Sequence, residues 1–131
     1  MIKYNYNVIV LDQNLRNNSN LSFTNTNVWR EGDHYHDANV SAINFNLKNK
    51  AQSYQVDGGI AISQLINPNA DNINGIEYEI GVGKIAGNFN LFASTNGTST
   101  NYNSNDLSFL TETNIREYDL NASYSLSLIH I

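Results

Sequence analysis

From Glu117 to Leu128 polar and apolar residues alternate without a break: Glu117, Asp119, Asn121, Ser123, Ser125 and Ser127 against Tyr118, Leu120, Ala122, Tyr124, Leu126 and Leu128. A period of two sends successive side chains to opposite faces of a strand, so this segment predicts a β-strand with one wet and one apolar side. Its length, about twelve residues, exceeds the usual five or six of soluble sheets and reaches the nine to eleven that cross a bilayer. The same alternation recurs upstream. Ile43, Phe45 and Leu47 oppose Asn44, Asn46 and Lys48; Tyr54, Val56, Ile60 and Ile62 oppose Gln55, Asp57, Gly59 and Ser63; Ile76, Tyr78, Ile80 and Val82 oppose Glu77, Glu79, Gly81 and Gly83.

The pattern predicts strands over Tyr4–Leu15, Leu21–Arg30, Ala38–Lys48, Gln52–Gln64, Gly75–Ile85, Asn88–Thr95 and Arg116–Leu128, with no helix. The fold class is therefore all-β, an antiparallel up-and-down meander of about seven long strands. The connections between them sort by length. Those at 16–20, 49–51 and 86–87 are short, and they alternate with longer ones at 31–37, 65–74 and 96–115. In an up-and-down barrel every second connection lies on one rim, and outer-membrane barrels carry short turns on one side and long loops on the other. Trp29, Tyr54, Tyr78 and Tyr118 fall near predicted strand ends, where a membrane barrel places an aromatic girdle. Aromatics also favour strands in general, so this sign alone decides little.

Composition narrows the setting. A chain of 131 residues is one domain. The chain holds no cysteine, which removes disulfides and Cys-based metal sites. A formal net charge of −5 argues against a nucleic-acid partner, which needs a clustered basic face. Asn is the commonest residue and crowds both turns and the polar strand faces. A disordered tract would hold no period, so the alternation excludes that reading of an Asn-rich chain. No apolar run is long enough for a membrane helix, but a barrel strand needs an apolar residue only at every second position. Met1 to Asn5 lacks the apolar core and cleavage site of a secretory leader. An outer-membrane protein must be exported, so the expectation is either a missing leader or an internal segment of a longer chain.

Candidate chemistry is sparse. His34-Tyr35-His36-Asp37 carries two histidines and a carboxylate at near-ligand spacing, but it falls in a long connection with no second cluster beside it, which is how an exposed polar loop reads. Asp71-Asn72-Ile73-Asn74-Gly75 fails as a calcium loop because Ile73 breaks the ligand spacing. Gly81-Val82-Gly83-Lys84 opens no helix and is no phosphate loop. Neither catalytic residues, a cofactor nor a metal site is expected. The residues singled out are the acids on the polar strand faces: Asp57, Glu77, Glu79, Glu117 and Asp119. If that face lines a lumen, they bias it toward cations and ordered water. On a soluble sheet they would only solvate an outer face.

Several stretches together carry a resemblance. They are Asn7-Val8-Ile9-Val10-Leu11-Asp12, Phe23 to Arg30, Asp37-Ala38-Asn39-Val40, Ala61-Ile62-Ser63-Gln64, Gly81-Val82-Gly83-Lys84 and Tyr102 to Leu110, with Asn114 and Arg116 after them. The chain resembles the C-terminal barrel domain of unknown function that follows a family-9-like carbohydrate-binding domain in large exported Gram-negative proteins. The likeness runs in order from about Asn7 to Tyr124, and Asn105 to Leu110 is its most specific part. Ser108 stands where that family usually has glycine. The resemblance implies an outer-membrane β-barrel of which residues 1–131 are one incomplete segment; the alternation keeps its native pattern to about Leu128 and is lost at Ile129. It implies as partners the outer-membrane lipid bilayer and the remainder of the barrel, and a glycan only through a domain outside this chain. Function is then expected to be anchoring or passage in the cell outer membrane, tied to surface-glycan or nutrient handling. The alternative is a soluble β-sandwich or small barrel that binds carbohydrate, with Ile76, Tyr78, Ile80 and Val82 packed inward.

Overall fold

A computed structural model describes residues 3–32, 36–100 and 114–126. Seven strands form one antiparallel sheet in strict chain order: β1 (Tyr4–Leu15), β2 (Ser19–Arg30), β3 (Asp37–Lys48), β4 (Tyr54–Ile66), β5 (Ile73–Lys84), β6 (Phe89–Thr98) and β7 (Arg116–Tyr124). The all-β meander read from the alternation is therefore present, as a single open sheet. Every strand pairs with its chain neighbours, and β1 and β7 stand at the two edges.

Short connections at 16–18, 49–53 and 85–88 gather on one rim, and the strand ends that lead into 31–36, 67–72 and 99–115 lie on the other. Local chemistry explains the tight ones. Asn17 and Asn18 both take positive φ, 62° and 54°, which Asn tolerates better than most residues, and the Ser19 amide donates to the Arg16 carbonyl at 3.3 Å. Between β3 and β4 the Asn49 Oδ1 accepts from the amides of Ser53 and Tyr54 at 2.8 and 2.9 Å, mimicking a backbone turn. Between β5 and β6 Gly87 takes φ 92°, and the Lys84 ammonium donates to the carbonyls of Ala86 and Phe89 at 2.8 and 2.7 Å.

Boundaries differ from the sequence reading where pairing overrides pattern. Gln52 is a turn residue with φ 56°, so β4 starts at Tyr54. The last strand stops at Tyr124, because its partner β6 begins at Phe89, the residue opposite. Residues 127–131 lie outside the described residues, as do Asp33, His34, Tyr35 and the stretch 101–113.

The register decides the faces, since directly paired residues point to the same side. One face carries Gln55, Asp57, Gly59, Ala61 and Ser63 of β4 with Glu77, Glu79, Gly81 and Gly83 of β5. The other carries Val56, Ile60 and Ile62 with Ile76, Tyr78, Ile80 and Val82. On β4 exposure runs opposite to polarity. Along β4 the polar-face positions are half-buried or buried, with Ser63 at 1%, while the apolar-face side chains are exposed. Of the exposed large hydrophobics on β2 to β7, all but Ile73 point to the apolar face; Leu120 reaches 74% and Ile80 48%. No second layer covers that face among the described residues.

Candidate functional site: two opposed faces of one sheet

On the polar face two rows of paired residues cross all seven strands. The first runs Asp12, Ser22, Asn44, Gly59, Glu79, Asn96 and Glu117. The next runs Asn14, Asn20, Asn46, Asp57, Gly81, Ser94 and Asp119. Glu77 stands on the same face, opposite Ala61 and Thr98. The sheet thus brings Asp57, Glu77, Glu79, Glu117 and Asp119 to one side. Asp12 joins them, and the sequence reading missed it. Its strand shows no clean alternation, because Tyr4, Tyr6, Val8 and Val10 occupy the positions on its face. A shallow depression of about 130 Å³ lies among Asn44, Gly59, Ala61, Glu77 and Glu79.

Glycines in this zone are covered by side chains from the next strand. A Cβ on Gly81 would come within 2.7 Å of the Phe92 ring and 2.9 Å of the Asp57 carboxylate. At Gly83 it would meet the Leu91 carbonyl and the Phe92 ring, both at 2.5 Å. The Asn44 amide fills the space over Gly59 in the same way, and Gln55 donates to Asp57 beside it. Phe92 is the one large aromatic here, laid flat over two glycines so that the surrounding surface stays polar.

The apolar face has its own glycine–aromatic pairs: the Phe45 ring lies 3.0 Å from where a Gly58 Cβ would be, and the Tyr78 hydroxyl 2.8 Å from a Gly97 Cβ. Tyr78 therefore sits inside β5 rather than at its end, stacked across Gly97 and beside Arg116 and Tyr118. Tyr54, Phe89 and Tyr124 mark the short-turn side of this face, with Phe89 directly opposite Tyr124. Toward the other rim the face turns polar. Asn25 Nδ2 donates to Asn39 Oδ1 and Ser41 Oγ, each at 2.8 Å; Asn27 Nδ2 donates to Asn25 Oδ1 at 2.8 Å, and Asn39 Nδ2 to Gln64 Oε1 at 3.1 Å. These amides, with Trp29, Asp37 and Ile66, line a depression of about 400 Å³.

Residues 3–128 match a family described as a domain of unknown function, DUF5916. The chain belongs to that family. No curated protein and no solved structure matches it.

In this DUF5916 domain the remaining sequence candidates fall as follows. His34 and Tyr35 lie outside the described residues, while the His36 carbonyl accepts from the Arg30 guanidinium at 2.6 Å and Asp37 accepts from the Arg30 amide at 2.8 Å. These contacts tie the β2–β3 connection. Among the described residues no three His, Cys, Asp or Glu side chains converge as a metal site. Asp71 and Asn72 serve the β4–β5 turn, Asn72 Oδ1 accepting from the Asn67 amide at 3.1 Å and the Asp71 carbonyl from Asn67 Nδ2 at 3.1 Å. Gly81 to Lys84 is regular strand, paired on both sides.

Proposed function

We propose that this DUF5916 domain is part of the wall of an outer-membrane β-barrel, with its apolar face in lipid and its acid- and amide-bearing face toward a wet lumen. The observation that carries this is the inversion of exposure and polarity. Large hydrophobics are exposed along one side of a single-layer sheet, while on β4 the polar side, with Gln55, Asp57 and Ser63, is the more sheltered one; Glu79, Glu117 and Asp119 on that side are exposed. A water-soluble sheet does the reverse, since apolar area left in water forgoes about 25 cal/mol per Å². Lipid removes that penalty.

Dimensions agree. Strands of 12 and 13 residues are about 40 Å long at ~3.3 Å per residue. A tilt of about 40° projects this to about 30 Å, a bilayer's hydrocarbon thickness. The segregation of short connections to one rim has the same reading. The role is anchoring or passage. The acid rows give the lumen side a cation-favouring field. A link to surface glycans or nutrients rests on the family resemblance and attaches to no residue of the chain.

The test is membrane fractionation of the intact protein, followed by a denaturing gel of unboiled and boiled samples. The expected result is an outer-membrane band whose mobility changes on boiling. A soluble product with a single mobility would sink the reading and leave a carbohydrate-binding sandwich in its place.

A further inference from the structure

One paired row on the apolar face contains no apolar residue. It runs Asn7, Asn27, Asn39, Gln64 and Asn74 across five strands, near the rim of the longer connections. Below it, toward the short turns, the same face carries Ile9 and Leu11, Phe23, Ile43 and Phe45, Ile60 and Ile62, and Ile76 and Ile80, with Asn25 and Ser41 as the polar exceptions in the first row. One residue away on each strand, on the opposite face, a second row runs Tyr6, Val28, Ala38, Leu65 and Ile73. Every member of that row is apolar. It contains Val28 and Ala38, the buried hydrophobics of the described residues, at 0% and 4% exposure. The outer face thus turns to amides at the height where the inner face is wholly apolar, and the inner face passes through two mixed rows, Val8 to Gly75 and Val10 to Glu77, before the acid rows begin.

From this we infer that the lipid belt ends at the amide row, and that β1 to β5 continue past the bilayer as a water-bathed wall around an apolar interior. The inference rests on the outer-membrane reading and adds where along the strands the bilayer stops. A side-chain amide offers two donor hydrogens and two acceptor lone pairs. The lateral bonds of Asn25, Asn27, Asn39 and Gln64 use only part of that capacity. Unmet polar groups in hydrocarbon are destabilising by several kcal/mol each, whereas in water or among headgroups they are satisfied. The inner row points the same way independently. Toward the short turns the inner side grades through mixed rows into acids and amides; beside the amide row it is built of Val28, Ala38 and Leu65, flanked by the exposed Tyr6 and Ile73. Trp29 lies on the outer face next to the amides, between chain and headgroup chemistry, where an indole is favoured.

The chain has no cysteine, so single cysteines can be placed in the intact protein, other native cysteines being changed to serine. Nitroxide labels at Ile60→Cys and Ile80→Cys report the belt; labels at Gln64→Cys and Asn74→Cys report the row. Collision rates with oxygen, which concentrates in lipid, and with a water-soluble nickel chelate are measured in reconstituted bilayers. The expected result is oxygen-dominated relaxation at Ile60 and Ile80 and chelate-dominated relaxation at Gln64 and Asn74, a several-fold reversal of the ratio. Oxygen-dominated relaxation at all four sites overturns the boundary and keeps the lipid-facing wall. Shielding of Gln64 and Asn74 from both reagents also overturns it, by showing a protein cover there. Chelate access at Ile60 and Ile80 would remove the outer-membrane reading itself.

Discussion

Ile80 and Glu79 are adjacent in β5, at nearly one height, and point to opposite faces, so one pair of substitutions tests the face assignment directly. Ile80 is paired with Gly58 and Thr95 in the middle of the apolar belt and is half exposed. An arginine on the lipid face of a barrel is destabilising by about 2–4 kcal/mol at the bilayer midplane and by ~0–1 near the interfaces. Ile80→Arg should therefore lower the folded-to-unfolded ratio roughly thirtyfold to several hundredfold. Glu79→Arg, facing water and other polar side chains, should change it by less than about 1 kcal/mol. Tyr54→Arg, on the apolar face but at its short-turn boundary, should fall near the small interfacial value of ~0–1 kcal/mol. The assay is equilibrium unfolding in urea or guanidinium of the intact protein in vesicles, read by gel mobility. The depth dependence separates lipid from protein cover. In a sandwich, Ile80→Arg would also destabilise, but its effect would not follow bilayer thickness. Equal losses at Ile80 and Glu79, or a cost at Ile80 that is unchanged between thin and thick bilayers, would refute the reasoning.

Other substitutions test the packing, the turns and the lumen. Gly81→Ala should destabilise by about 1–3 kcal/mol through overpacking, and Phe92→Leu should restore part of that loss because the obstructing atoms are side chains. Gly83→Ala should not be rescued by Phe92→Leu, since the Leu91 backbone carbonyl would still stand 2.5 Å from the new Cβ; rescue at both sites in an unfolding titration would contradict the described backbone. Asn18→Val should be destabilising by roughly 1–2 kcal/mol, because a β-branched residue resists positive φ, whereas Asn18→Gly should be neutral or slightly stabilising. Paired Asp57→Asn and Glu79→Gln changes should weaken cation preference in planar-bilayer recordings without loss of heat-dependent mobility. An unaltered reversal potential would separate this face from any conducting path.

The strand order was legible because a period of two survives in β3, β4, β5 and β7, where the two faces meet different surroundings. Where both faces change surroundings along one strand, the period says less. In β1 and β2 the outer positions pass from Ile9 and Phe23 to Asn7 and Asn27, and the inner ones from Asp12 and Ser22 to Tyr6 and Val28. Read locally this is broken alternation, and so Asp12 went unrecognised beside Glu79 and Glu117. The amide row was hidden for a related reason. Asn7, Asn27, Asn39, Gln64 and Asn74 come from five strands, and only the register aligns them. Alternation likewise carried the last strand to Leu128, but a strand extends only as far as it has a partner, and Phe89 opposite Tyr124 is where β6 starts. Tyr78 looked like an interfacial residue from position in the sequence; its contact is the bare backbone of Gly97.

The edges set the remaining constraint. Along β1 and β7 every residue is exposed, and among the described residues each strand has a neighbour on one side only. In water such edges are an aggregation hazard, which soluble proteins blunt with charge, proline or a covering segment. In lipid they are worse, because each unpaired backbone group there is destabilising by several kcal/mol and no water can intervene. Over strands of 12 and 9 residues that penalty far exceeds the roughly 5–15 kcal/mol by which a folded domain is stable. On the proposed reading, a sheet that turns its apolar face to lipid can persist in a bilayer only if both edges are paired, by further strands of its own protein or by another copy. The proposed lipid placement and closure are thus one requirement: if the apolar side chains draw the sheet into lipid, its edges forbid it from lying there open.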